Sequence, residues 1–258
     1  MMTEAVSFDY AQKAQKAQEA EDPIREDLVL THRRAWERLA EPGTWWNGRE
    51  RVAIAAEARA ADYCLFCRKR REALSPFSEH GDHDQVSGEI LPAAAIDAIH
   101  RIVTDATRLT SSWVDGLASQ GVPMTHYVEL LSVVVSIRSI DGFHRAMGFA
   151  PEPLPEPQPG EPSRKRPAAA VAGEAWVPML PTGQPSGDEA DLWAAQTGNV
   201  IRAMSLVPDA VRWLKELGGA QYLDVTAMMD FTRARGPLSR AQTELVAGRV
   251  SAMNECFY

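Results

Sequence analysis

Two cysteines three positions apart, in Cys64-Leu65-Phe66-Cys67, are the residues of this chain best spaced for covalent chemistry. On helical backbone that interval puts both sulfurs on one face, where they can close a small-ring disulfide with little movement. The basic run Arg68, Lys69, Arg70, Arg71 follows directly. Adjacent positive charge favours the thiolate, and the thiolate is the nucleophile. If the helix breaks near Asp62, Cys64 enters the first turn of a new helix, whose amides lower a thiol pKa further. A dithiol that reduces peroxide also needs a proton for the departing alkoxide. Glu57 lies two turns before Cys64, on the same face of a continuous helix, and Glu50 is a more distant candidate.

Two plainer readings of the cysteines stay open. They can be small buried hydrophobes, or they can ligate metal, although the chain has no second cysteine pair at ligand spacing. The segment SEHGDHD offers Glu79, His80, His83 and Asp84 as ligands, alone or with the cysteines, against a solvated polar loop. His100, His126 and His144 sit in helical segments and read as packed or surface histidines rather than ligands. No metal and no cofactor is therefore assigned. Trp36, Trp45, Trp46 and Trp113 read as core or interface aromatics.

Composition narrows the setting. Lys plus Arg number 27 against 35 Asp plus Glu, a net charge of -8 that argues against a nucleic-acid partner. No apolar run approaches the ~18 residues a membrane span needs, so no membrane partner is expected. The N-terminus is polar, without the apolar core of a secretory signal. Three cysteines make no disulfide framework, which fits a reducing compartment and a cytoplasmic location.

The elements that must position the cysteines read as all-α. LVLTHRRAWERLAE, RERVAIAAEARAADYCLFCRKRREAL, LPAAAIDAIHRIVTD and HYVELLSVVVSIRSIDGFHRAMG carry apolar residues at three- and four-residue spacing. VVVSI alone resembles a buried strand, but its setting without turn signals favours helix. Gly148 stands at a natural helix end. From Pro151 to Pro185 the chain holds ten of its 17 prolines, which excludes regular helix or central strand and predicts an extended connection. Within it AWVPML is apolar enough to lie on a folded surface. The expected organisation is a polar segment 1–21, marginal as a helix, a lobe 22–150, a linker 151–187 and a second lobe 188–258. Ser239 and Gln242 form a capping-box pattern at the start of the last helix.

That last helix repeats the first cysteine segment. Aligning Cys256 with Cys64 lays LSRAQTELVAGRVSAMNECFY over WNGRERVAIAAEARAADYCLF, and Phe66 over Tyr258. Both segments resemble the AhpD-like alkylhydroperoxidase, or carboxymuconolactone-decarboxylase-like, superfamily, whose redox members carry Glu, eleven residues, Cys-x-x-Cys, three residues, His. Glu244 precedes Cys256 with that spacing. In the first segment Val52 occupies the Glu position and Arg71 the His position, so Glu57 or a loop histidine must substitute. The resemblance covers roughly 25–150 and 195–258. The sequence stops where the second pair would be completed, and the expectation is that the natural polypeptide continues, in one version through a selenocysteine codon. The second lobe is then expected to expose Leu245, Val246, Val250 and Met253.

What the resemblance implies is a helical peroxidase that reduces small-molecule hydroperoxides through the pair, with Cys67 peroxide-reactive and Cys64 resolving. Glu57, Glu244 and Cys256 complete the candidate site residues. Its partners are an unidentified thiol reductant and other copies of the chain, as a homo-oligomer. The alternatives are a catalytically degenerate assembly protein on the same fold and a carboxymuconolactone-decarboxylase-like enzyme.

Overall fold

Asn47 begins the helix that leads into the cysteine pair. Its side chain accepts the Glu50 N–H (2.9 Å), and the Glu50 carboxylate accepts the Asn47 N–H (2.8 Å), a reciprocal cap that satisfies two otherwise orphaned amides. The computed structural model describes residues 8–11, 13, 24–194, 197–234, 236–254 and 256. Among them the architecture is all-α. The helices are α1 (Glu26–Ala40), α2 (Gly48–Ala60), α3 (Leu65–Glu72), α4 (Ala93–Asp105), α5 (Ser111–Leu117), α6 (Met124–Ala146), α7 (Asn199–Arg202), α8 (Pro208–Gln221), α9 (Val225–Met229) and α10 (Arg240–Met253). The described residues contain no strand, only an isolated antiparallel bridge between Val171 and Met179.

α6 is the axis of the core and packs against α2, α4 and α8. The VVVSI stretch lies within it, with Val133, Val134 and Ile137 buried. Val133, Val134 and Ile137 face the helices packed around α6, whereas Val135 is exposed, so the run that looked strand-like combines a buried helical face with one outward-facing valine. α6 ends at Gly148, whose φ of +70° is the left-handed conformation glycine adopts without steric cost. The Phe149 N–H reaches the His144 carbonyl (2.8 Å) and the Gly148 N–H the Arg145 carbonyl (3.2 Å), closing the helix end.

The proline-rich connection is extended, as its composition predicts, and it is tied to the helices. The Trp36 indole donates to the Pro153 carbonyl (2.8 Å), Arg59 to the Glu152 carbonyl (2.9 Å), and the Gln158 N–H to the Ala40 carbonyl (2.8 Å). Gly48 is required by this approach: a Cβ there would lie 2.1 Å from the Ala40 oxygen and 2.7 Å from that of Gln158. Val177, Met179 and Leu180 of AWVPML and its neighbourhood are buried. Beyond the connection, α8 packs on α1 and α6, Arg34 pairs with Glu216 (2.9 Å), and Arg51 lies 4.3 Å over the Trp213 ring. One continuous apolar core holds Trp36, Ile54, Ile137, Leu192, Val211 and Leu217 together.

Most of the polar 1–21 segment lies outside the described residues. The described part departs from a solvated helix: Phe8 and Tyr10 are buried, with Phe8 edge-on to Trp36 (5.0 Å between ring centres) and Tyr10 stacked on Phe149 (5.8 Å). Two aromatic rings within a polar stretch supply enough apolar area to dock it. α10 starts with the anticipated Ser239–Gln242 capping box and exposes Leu245, Val246, Val250 and Met253. Among the described residues no helix is long and apolar enough to cross a membrane.

Candidate active site

The helix carrying the cysteines does break where Asp62 lies. α2 stops at Ala60, a 3-10 turn covers Ala61–Tyr63, and Cys64 (ψ 120°) is the N-cap of α3. The Cys64 sulfur accepts the Cys67 N–H at 3.5 Å, and the Asp84 carboxylate accepts the Leu65 N–H at 2.7 Å. Asp84 thus acts as a second cap on the short helix, where negative charge is favoured. Both sulfurs turn inward and are only 2% exposed.

Two imidazoles meet them. His100, fully buried on α4, brings Nδ1 to 3.1 Å from the Cys67 sulfur. His83, from the loop between α3 and α4, places Nδ1 3.4 Å from Cys67 Sγ and 3.7 Å from Cys64 Sγ. The two rings lie 4.1 Å apart, centre to centre. Each ring hands its other nitrogen to a carboxylate. His100 Nε2 is 2.9 Å from Glu57 Oε1, and His83 Nε2 is 3.0 Å from Asp97 Oδ1. The second Glu57 oxygen accepts the Val86 N–H (3.1 Å), which fastens the loop over the site. Gly81 of that loop lies against the Phe66 ring, which a Cβ would approach to 3.0 Å. With both Nε2–H groups given to carboxylates, both Nδ1 atoms face the sulfurs as lone-pair acceptors.

The charges differ from what the linear sequence suggests. Burial pushes the Cys67 thiol up to about 12, and the Cys64 contact adds to it, while Thr104 and Arg70 oppose weakly. The expectation that Arg68, Lys69, Arg70 and Arg71 keep a sulfur ionised is therefore corrected at Cys67. Arg68, Lys69 and Arg71 are exposed and point to solvent from the later turns of α3. Arg70 is buried, but it pairs with Asp97 (3.0 Å) and lies 4.4 Å over the Phe66 ring. Burial also holds His83 below the ordinary imidazole value, outweighing its bond to Asp97. Burial alone would raise Asp97 and Glu57. The His83 bond with Arg101 and Arg70 holds Asp97 well below the usual carboxylate range, and bonds from His100 and Val86 hold Glu57 below it.

Glu57 reaches this cluster by a route the sequence did not indicate. The helix is not continuous to Cys64, and Glu57 acts on Cys67 only through His100. Glu50 is spent on the Asn47 cap. Arg71 is exposed, and a histidine from another helix, His100, stands beside the Cys67 sulfur. Asp97 and His100 were the residues least visible in advance. The available signal was phase: His100 continues the buried positions Ala95, Ile96 and Ile99 of α4, where an imidazole must find partners. His80 is exposed, and Glu79 takes no part in the cluster. Glu244 is on the surface, bonded to Tyr222 (2.6 Å) and Arg240 (2.5 Å), and Cys256 is an exposed free thiol. Neither is brought to Cys64 and Cys67.

No protein-family model, no curated protein and no solved structure matches the chain.

Proposed function

We propose that the chain is a thiol-dependent peroxidase working through Cys67 and Cys64. The observation that carries this reading is the continuous path from the Cys67 sulfur through His100 to the Glu57 carboxylate, at 3.1 and 2.9 Å. A thiol held up by burial needs a base in contact with it, and His100 turns Nδ1 to that sulfur. His100 takes the Cys67 proton, and the resulting imidazolium is stabilised by Glu57. The sulfur attacks one oxygen of the hydroperoxide ROOH, the O–O bond breaks, and the departing RO⁻ takes the proton back from His100 as ROH. Cys67 is left as a sulfenic acid. The Cys64 thiolate, its proton passed to His83, attacks that sulfur; the S–S bond forms and hydroxide leaves as water with the same proton. An external dithiol must supply two electrons to restore the pair.

Access requires the loop bearing His83 and Val86 to open, because both sulfurs are buried beneath it. The resemblance to AhpD-like proteins supports the same chemistry, with His100 in place of the family's histidine. The test is peroxide consumption with dithiothreitol, comparing the parent chain with Cys64→Ser and Cys67→Ser. Loss of turnover in both, with sulfenic acid trapped by dimedone in Cys64→Ser alone, is the expected result. Equal rates in all three chains end the reading and leave a helical scaffold.

A further inference from the structure

Four potential ligand atoms, Cys64 Sγ, Cys67 Sγ, His83 Nδ1 and His100 Nδ1, converge within 4.8 Å of one another. We propose that this cluster is a four-coordinate site for a zinc-class divalent ion, and that the ion holds the reduced dithiol in a latent form.

Three observations support the site. The first is size. Zn–S bonds of about 2.3 Å and Zn–N bonds of about 2.0 Å set sulfur–nitrogen edges of about 3.5 Å in a tetrahedron. Three of the four sulfur–nitrogen separations are 3.1, 3.4 and 3.7 Å, and all four ligand atoms lie within 4.8 Å of one another. The second is orientation. A ligating imidazole characteristically gives its far N–H to a carboxylate, which fixes the tautomer and strengthens the donor. Both histidines do so, His100 to Glu57 and His83 to Asp97. The third is donor chemistry. Two thiolates and two neutral imidazoles neutralise a doubly charged ion, and an S2N2 tetrahedron selects zinc over hard cations such as magnesium or calcium. Loading releases the two thiol protons and leaves no fifth position for water, so the site is a closed one.

The latency rests on the peroxidase reading. An ion on both sulfurs takes the lone pairs that attack peroxide and cap disulfide formation, and it occupies the His100 nitrogen that acts as base. The site itself stands without that reading.

The test uses the full chain, reduced under anaerobic conditions and freed of metal, then titrated with Co2+ and Zn2+. One Co2+ per chain with thiolate-to-cobalt charge transfer and the intense visible bands of a tetrahedral ion is expected, displaced by Zn2+. Cys256→Ser should bind as the parent does. Asp97→Asn, which keeps the shape of the support beneath His83, should bind about 10–100-fold more weakly. No charge-transfer band, an octahedral spectrum, or a band lost on Cys256→Ser overturns the site, and these spectra of the parent chain do not depend on any variant folding. Peroxide consumption is then compared in metal-free and zinc-loaded chain. Suppression by zinc and recovery with chelator is expected, and equal rates overturn the latency. A tetrahedral spectrum with no turnover in the metal-free chain removes the peroxidase and leaves the metal site. Turnover without metal binding does the reverse.

Discussion

Glu57→Gln separates a relay from mere packing, because it preserves volume while changing one acceptor into a donor. The carboxylate is fully buried and accepts two bonds, from His100 Nε2 at 2.9 Å and from the Val86 N–H at 3.1 Å. A glutamine has one acceptor oxygen and an NH2 that only donates. With the NH2 toward Val86, two donors face each other and the loop loses its fastening. With the NH2 toward His100, the imidazole must turn Nε2 into an acceptor, moving its proton to Nδ1 beside Cys67. The base then meets the thiol with the wrong tautomer. In either arrangement the buried negative charge that stabilises the imidazolium is gone. A hydrogen bond to a charged group contributes about 1.5–3 kcal/mol, so urea unfolding should show a loss of about 2–3 kcal/mol at unchanged slope. General-base assistance contributes about 10²–10⁴-fold, so peroxide consumption should fall by at least about 100-fold at saturating reductant. A variant that turns over peroxide within about threefold of the parent, with the stability loss present, refutes the relay and leaves Glu57 a structural residue.

Other consequences concern charge and access. His32 is fully buried between Tyr10 and Gln221 and is held down to about 4 by burial and by the neighbouring His144. The unfolded chain takes up this proton near pH 6.5 and the folded one does not, so stability is complete above 6.5 and declines toward pH 4, by up to about 3 kcal/mol; urea midpoints across that window check it, and His32→Gln should flatten the slope. Glu129, buried on α6, accepts the N–H groups of Thr44 (3.2 Å) and Trp45 (2.5 Å) beside Arg51, so Glu129→Ala strands two amides and a buried guanidinium and should cost about 3–5 kcal/mol in thermal or urea unfolding. Iodoacetamide on the native reduced chain should label Cys256 within the mixing period and Cys64 and Cys67 only at the rate of local opening, read by peptide mass spectrometry; equal labelling of all three would show that the sulfurs are not covered.

How far the sequence could be read depended on how local the cause was. The Ser239–Gln242 cap, the Gly148 end and the extended proline segment are each produced by residues within a few positions of the effect, and each was legible; the interruption near Asp62 stood only as an alternative to the continuous helix on which Glu57 was placed. α6 was legible by context, since its apolar run is long and lacks turn signals. The docking of Phe8 and Tyr10 was not, because it is decided by Trp36, His144 and Phe149, far along the chain. The same holds for the site. Cys64, Cys67 and Glu57 share one stretch and stand out in it, whereas His100 stands 33 residues from Cys67 in another helix and has no spacing rule to announce it.

The four cations after Cys67 show why nearness in sequence misleads about electrostatics. A Coulomb interaction depends on distance and on the medium between the charges. Three of those side chains lie in water, where their field is screened, and the fourth is compensated by Asp97. The Cys67 sulfur instead sits where desolvation disfavours a thiolate, and that effect is the larger one. Any chemistry at Cys67 must therefore come from groups in direct contact with it: a base that removes its proton or an ion that replaces it. His100 serves either role in a single orientation, because a lone pair on Nδ1 and a proton on Nε2 suit both a relay and a ligand. What separates the two is His83. A relay from Cys67 to Glu57 needs no second imidazole beside the same sulfur, whereas a tetrahedral site does. Its Nδ1 lies 3.4 Å from Cys67 and is held there by Asp97. His83→Ala should therefore abolish the tetrahedral cobalt spectrum while slowing Cys67 oxidation far less than His100→Ala does. If the two substitutions slow that oxidation equally, the histidines act as one unit and the assignment of the proton path to His100 fails.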